Sequence, residues 1–115
     1  MEFLGTIIGL AFFAVFFLLI AKNIGLMKAL SNEKKQFKIM LANPCDATVR
    51  DYLDAYAKTT TGFAHIQNSN RGGEHRNDQL RQAQGWEVLR ENESISEDLK
   101  MQMRNAFIAE GVPVK

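Results

Sequence analysis

The sequence predicts an all-α protein, in which a single N-terminal transmembrane helix precedes a small helical domain that ends in an antiparallel helix hairpin. Three observations predict this fold class. Residues 3–21 form an uncharged apolar run, later apolar residues recur at i, i+3 and i+4, and helix caps punctuate the end of the chain. A short strand over 36–41 or 59–66 is the alternative for those two stretches.

The apolar run FLGTIIGLAFFAVFFLLIA contains one hydroxyl group and no charge. At 1.5 Å per residue a helix of this length reaches about 28 Å, close to the thickness of a hydrocarbon core. The polar remainder of the chain is too small to cover such a helix on every side. A cleaved signal peptide would have a basic start, a shorter apolar region and small residues before the cut. We therefore expect a membrane anchor.

Charge is distributed unevenly after the run. Residues 22–38 have a net charge of +4, whereas residues 39–115 have a net charge of -2. Basic residues favour the cytoplasmic side of a membrane. We therefore expect a short external N-terminus and a cytoplasmic C-terminal domain in a cell (inner) membrane. The residues expected to set this topology or to contact lipid headgroups are Lys22, Lys28, Lys34, Lys35 and Lys38.

These patterns divide the chain into an external terminus (1–2), a membrane helix (3–21), a basic juxtamembrane segment (22–43) and a helical domain (44–115) with a flexible loop at 67–77. The juxtamembrane segment either continues the membrane helix or lies along the headgroups. Its predicted face follows helical spacing and comprises Met27, Leu30, Lys34, Phe37 and Leu41.

The first helix of the domain is predicted to start at Asp46, a good N-cap residue. Its apolar face comprises Val49, Tyr52, Leu53 and Tyr56. Three threonines and a glycine at 59–62 predict its end. The following GFAHIQ predicts a turn and a short extended piece, with Phe63 and Ile66 covering the core.

The hairpin is predicted from two further helices. Asp78 is a candidate cap for the first, whose apolar residues are Leu80, Ala83, Trp86, Val88 and Leu89. Ser94 and Glu97 have the spacing of a capping box for the second, and Gly111 stands where a left-handed C′ residue is expected. Across the turn, the residues expected to pack together are Trp86, Leu89, Leu99, Met103 and Phe107.

Two features predict contact with another chain. Gly5 and Gly9 form a G-x-x-x-G pair, which permits close helix packing in lipid, either with another membrane protein or with a second copy. The domain has few large core residues, so we expect a partner to complete it. The candidate partner contacts are Tyr52, Tyr56 and Trp86, because amphipathic aromatic residues dominate many interfaces.

The rest of the sequence has no specific chemical signature. Cys45, His65 and His75 do not form a known ligand or catalytic spacing, so we predict no catalytic residue, cofactor or metal. We predict membrane lipids as a partner, and neither nucleic acid nor a small-molecule substrate. The leading hypothesis is an adaptor, assembly factor or accessory subunit of a membrane complex. The alternatives are a small membrane-tethered enzyme or sensor that uses these three residues, and a bilayer-active membrane protein.

Overall fold

A computed structural model describes residues 2–115 of the chain, apart from the side chains of residues 2, 3, 22 and 23. Within this part the chain is all-α, as predicted, and strands are absent from both 36–41 and 59–66. The helices are α1 (Glu2–Ala42), α2 (Asp46–Thr60), α3 (Gly62–Ser69), α4 (Gly73–Leu89) and α5 (Glu97–Ala109). The molecule measures 70 × 24 × 20 Å, because α1 is far longer than the domain is wide.

α1 is one continuous helix of 41 residues, which corresponds to a length of about 62 Å. The juxtamembrane segment therefore continues the apolar helix. Between residues 4 and 21 every side chain is exposed, whereas the half beyond residue 25 contributes buried side chains to the domain. One helix thus has an uncovered apolar half and a half that belongs to the core.

The face of α1 that packs on the domain includes Phe37, as predicted, but at three other positions the buried residue is the one before the predicted residue. Leu26, Glu33, Phe37 and Met40 are buried, whereas Met27 is 69% exposed. The predicted Lys34 and Leu41 are also exposed. The physical reason is Glu33, a charged residue that helical patterning assigns to solvent but that finds partners inside the domain.

The four longer helices form an up-down-up-down bundle. α2 runs antiparallel to α1, since Tyr52 contacts Glu33 and Thr59 shares a small cavity with Leu30. α4 runs parallel to α1, and α5 returns parallel to α2. The contacts that set these last two directions are Arg81 with Glu33, Gly85 with Phe37, Ser96 with Asp46, and Phe107 with Tyr56.

The connection between α2 and α4 is more ordered than the sequence predicts. Most of the predicted loop at 67–77 is helical, and the turn between α3 and α4 is confined to residues 70–72. Gly72 has a positive φ of 67°, which suits glycine. Asn68 donates from Nδ2 to the carbonyl oxygen of Thr59 at 3.1 Å. This side-chain bond ties α3 to the end of α2, in a stretch whose composition is typical of a loop.

Helix ends follow the predicted chemistry with small shifts. Cys45, not Asp46, is the N-cap of α2, and Asp46 Oδ1 instead accepts a 2.7 Å hydrogen bond from the Ser96 backbone. Ser96, not Ser94, caps α5, and its Oγ accepts from the Leu99 backbone. Gly111 is confirmed as the left-handed residue after α5, with φ of 81°. Asp78 lies inside α4 instead of capping it.

The predicted hairpin core is confirmed. Trp86, Leu89, Leu99, Met103 and Phe107 are all buried in one cluster, joined by residues of α1 and α2. Several other apolar residues that were predicted to cover the core, in the hairpin and in 62–67, are instead exposed to solvent. Those that remain exposed are Phe63, Ile66, Leu80 and Val88.

Candidate functional site

The uncovered half of α1 is the largest apolar surface of the described chain. An 18-residue window of this helix has a mean hydropathy of 2.7, and its share of buried residues is 0%. Its length and composition suffice to cross a membrane. The complete exposure distinguishes it from the core helix of a soluble protein, whose apolar residues are covered. The rings of Phe13 and Phe17 contact each other on this surface at a tilt of 34°, with ring centroids 6.0 Å apart.

Immediately beyond this half, a buried ionic cluster joins α1 to the domain. Glu33 is only 1% exposed. Its Oε2 accepts a 2.7 Å hydrogen bond from the Tyr52 hydroxyl and a 3.1 Å bond from Nη1 of Arg81. Nη2 of Arg81 forms a second bond, to Oε1, so that the guanidinium holds the carboxylate through both oxygens. Such bidentate geometry fixes the two helices in register.

Arg81 extends the cluster towards α3. Its Nη2 lies 3.5 Å from Oδ1 of Asp78, whose other oxygen accepts bonds of 2.9 and 2.7 Å from the guanidinium of Arg71. Arg71 also donates to Oδ1 of Asn68 at 3.1 Å. We call this set, comprising Glu33, Tyr52, Asn68, Arg71, Asp78 and Arg81, the Glu33 network. It connects α1, α2, α3 and α4.

Burial and charge act on the titrating groups of the network. Burial, and then the negative charge of Glu33, raises the pKa of Tyr52 well above its ordinary value. Burial alone would lower the pKa of Arg81, but the hydrogen bond and charge of Glu33 outweigh it and raise that pKa. Tyr52 therefore remains a neutral donor and Arg81 a cation.

An aromatic contact lies directly beside the network. The Arg81 guanidinium carbon is 4.6 Å from the centroid of the Phe37 ring, in cation–π geometry. The same ring lies against the backbone of Gly85, where a Cβ atom would come within 2.8 Å of Phe37 Cε2. Glycine at 85 is therefore needed for α1 and α4 to approach each other this closely.

Gly5 and Gly9, the predicted helix-packing pair, lie on the uncovered half of α1. Apart from the backbone of its own helix and its two chain neighbours, a Cβ atom at either position would meet no heavy atom of the described chain within 4 Å. Space beside both residues is therefore open to another helix. Association through this pair stays a prediction.

The lysines lie at very different heights along α1. Lys28 stands about 10 Å beyond Ala21, whereas Lys34 and Lys38 stand about 20 and 26 Å beyond it. If the hydrocarbon ended at Ala21 and the helix stood upright, Lys34, Lys35 and Lys38 would stand beyond a headgroup layer of about 5–8 Å. Contact of Lys34, Lys35 and Lys38 with lipid headgroups stays a prediction. Their topological role stays a prediction, and the Lys22 side chain lies outside the description.

The structure places the three candidate partner contacts in the core of the domain. Tyr52 is fully buried, and Tyr56 and Trp86 are each only 4% exposed. The rings of Tyr52 and Tyr56 stack 5.9 Å apart and both contact Phe107. These residues complete the core within the chain, so none of them offers a surface to a partner.

The three residues of the enzyme alternative do not converge. His65 Nε2 lies 3.0 Å from Glu110, and His75 Nδ1 lies 3.2 Å from Asn68 Oδ1. Cys45 starts α2 and contacts Thr48, about 20 Å along the helix from Thr59 and Thr60 at its other end. Those threonines and His75 line a cavity of about 10 Å³, which has room for roughly one water molecule.

The Glu33 network is the site that sequence reasoning missed. Its partners stand 19 and 48 residues away from Glu33 in the sequence, and helical periodicity reports only neighbours within two turns. One signal was present in the sequence. Glu33 is the only acidic residue among the five lysines of 22–38, an exception that invited a search for a buried cationic partner.

The chain matches no protein-family model, and comparison with curated proteins and with solved structures finds no significant similarity. Function is therefore inferred from the geometry described above.

Proposed function

We propose that this chain is a single-pass membrane protein that acts as an adaptor or accessory subunit of a membrane complex. The observation that carries the proposal is the continuity of α1, whose first half is entirely exposed and apolar and whose second half is part of the domain core. Because the Glu33 network fixes that second half, any tilt of the membrane helix moves the whole domain with it. Such a rigid connection between membrane helix and domain is suited to an adaptor, which holds its domain in a fixed position beside a partner.

The proposed orientation has the domain in the cytoplasm. The support for it is the concentration of lysines on the domain side of the apolar run, since positive charge is retained on the cytoplasmic face. Orientation is decided during insertion, so it does not require these lysines to contact lipid in the folded protein.

The proposed contact surface is the outer face of α1 above the headgroups. Ser31, Lys34, Lys35, Lys38 and Ile39 line a shallow groove of about 450 Å³, and Ile39 is 41% exposed. A carboxylate-rich segment with an apolar residue complements such a groove in charge and in surface. The proposed partner is therefore an acidic segment of another membrane protein. We call this surface the α1 groove.

Photo-crosslinking in cells tests the proposal. A photoreactive amino acid replaces Ile39 in one full-length variant and Val88 in a control, because Val88 is also apolar and exposed but lies on α4. We expect one prominent crosslinked protein from position 39 and not from position 88. Mass spectrometry of that product identifies the partner.

Charge reversal provides the second arm. In protein that keeps the orientation of the wild type, Lys35→Glu with Lys38→Glu should abolish the crosslink from position 39, whereas Arg50→Glu, an exposed cation on α2, should preserve it. Equal crosslinking from positions 39 and 88, or a crosslink that survives the double reversal, contradicts the proposed surface. Loss of activity on removing Cys45, His65 and His75 together, in a folded and inserted protein, would favour the enzyme or sensor alternative.

A further inference from the structure

The helix α3 has an inverted distribution of polar and apolar side chains. Its polar Asn68 is buried and bonded to Thr59, whereas Phe63 is 41% and Ile66 is 57% exposed. Phe63 and Ile66 stand three residues apart and share one face of the helix. A helix that faces water normally shows the opposite arrangement, with its apolar side inward.

α3 lies at the end of the domain that is nearest the apolar half of α1. α2 starts beside the end of α1 and returns along it for 15 residues, about 22 Å, so its last turn is close to the apolar half of α1. Thr59, Thr60 and Asn68 line one cavity with Leu30. The exposed apolar side chains of α3 are therefore close to the apolar half of α1.

Height along α1 places this end close to the headgroups. Leu26 and Leu30 are about 8 and 14 Å beyond Ala21, whereas headgroups extend about 5–8 Å beyond the hydrocarbon. Membrane helices are tilted by about 20° on average, which lowers one side of an attached domain towards the surface. The apolar face of α3 is thus within reach of the bilayer.

Charge around α3 favours the same contact. Lys28, Lys58 and Arg76 are exposed on the three helices that surround it, at the same end of the domain. The exposed carboxylates nearby are Glu74 and, one turn before Lys58, Asp54, whereas the less exposed Glu110 lies 3.0 Å from His65 Nε2. An apolar face bordered by cations is the composition of helices that lie at the surface of anionic membranes.

We propose that α3 is an interfacial element that rests on the cytoplasmic leaflet, with Phe63 and Ile66 inserted at headgroup level and the surrounding cations on anionic lipid. This inference rests on the proposed membrane anchor. It adds a second, surface contact that limits the tilt of α1 and fixes which side of the domain is turned away from the bilayer.

Spin labels on the full-length chain in lipid nanodiscs test the proposal. In a Cys45→Ser background, which keeps a good N-cap residue, single labels replace Ile66, Val88 and Leu10. Val88 is the matched control, since it is apolar and 65% exposed but lies near the far end of α4. Collision rates with oxygen, which partitions into lipid, are compared with those of a water-soluble nickel chelate.

We expect the label at 66 to favour oxygen more than the label at 88 does, and less than the label at 10. Replacing phosphatidylglycerol by phosphatidylcholine should reduce the immersion of position 66. An unchanged immersion would contradict the proposed contact of the surrounding cations with anionic lipid. Equal water exposure at 66 and 88, with position 10 in hydrocarbon, overturns the interfacial role of α3 alone. Water exposure at position 10 overturns the anchor, and the inference with it.

Discussion

Arg81 on α4 holds both carboxylate oxygens of Glu33 on α1, across 48 residues of sequence, and the carboxylate is 1% exposed. The pair joins the helix that has the apolar run to the helix that starts the hairpin. Breaking a buried ion pair from one side costs far more than replacing both partners, because one charge then remains buried alone. The pair is therefore a sensitive test of how the domain is attached.

Arg81→Met should destabilise the domain strongly. It leaves Glu33 buried with Tyr52 as its remaining network partner, so we expect the free energy of unfolding to fall by about 3–5 kcal/mol. Denaturant unfolding in detergent micelles measures this, with the fluorescence of the single, buried Trp86 as the probe. Glu33→Met together with Arg81→Met should be more stable than Arg81→Met alone. A single variant within about 0.5 kcal/mol of the wild type would contradict the account of the network.

Gly85→Ala should also destabilise the domain, although alanine favours helices. The added methyl group would press on the Phe37 ring, and we expect a cost of about 1–3 kcal/mol from overpacking. Gly73→Ala, in the same helix, places its new Cβ in open space beyond the local backbone and should be neutral or slightly stabilising. Phe37→Leu should rescue the Gly85→Ala variant by making room. A Gly85→Ala variant as stable as the Gly73→Ala variant would show that α1 and α4 are not in close contact there.

Stability should fall above about pH 10, where tyrosines of unfolded chains ionise. Burial raises the pKa of both Tyr52 and Tyr56 above that of the unfolded state, so the folded protein retains protons that the unfolded chain loses. Their stabilising contribution is present below the unfolded pKa and declines as pH rises towards the folded one, by up to about 1.4 kcal/mol per pH unit for each tyrosine. Unfolding curves at increasing pH, with tyrosinate absorbance as a second probe, measure the slope. Tyr56→Phe should reduce it, and an equal slope in that variant would refute the assignment.

Cys45 should react with alkylating agents at a lower pH than a free thiol. The hydrogen bond with the Thr48 hydroxyl, followed by the Thr48 backbone, lowers the pKa of the Cys45 thiol. The pH midpoint of alkylation should therefore rise in Thr48→Val and remain near the wild-type value in Thr48→Ser, which keeps the hydroxyl. Identical midpoints in the wild type and Thr48→Val would exclude this effect of Thr48.

Local patterns predicted the parts of the fold that depend on neighbours in sequence. Leu99, Met103 and Phe107 pack as their helical spacing predicts, and Gly111 ends α5 because only short-range sterics decide that position. The α3 segment was mispredicted because Asn68 is held by a carbonyl nine residues away, which composition does not reveal.

The candidate site was less predictable for the same reason. A buried Glu33 contradicts hydrophobic patterning and makes sense only once Tyr52 and Arg81 are seen beside it. Tyr52, Tyr56 and Trp86 were assigned to a partner because the core was counted without the second half of α1. With Phe37 and Met40 added, the core is closed within the chain.

The central claim, a membrane anchor with the domain on the cytoplasmic side, is tested most directly through the single cysteine of the chain. Cys45 follows α1 and is partly exposed to solvent, so a labelling reagent can reach its thiol without any engineered change. The measurement is the labelling of Cys45 in the full-length protein by a membrane-impermeant maleimide, in intact bacterial cells and in inverted inner-membrane vesicles. The account predicts labelling in the inverted vesicles and protection in intact cells, with the protein in the membrane fraction after alkaline extraction. Labelling in intact cells would reverse the orientation, and release by alkaline extraction would contradict the anchor itself.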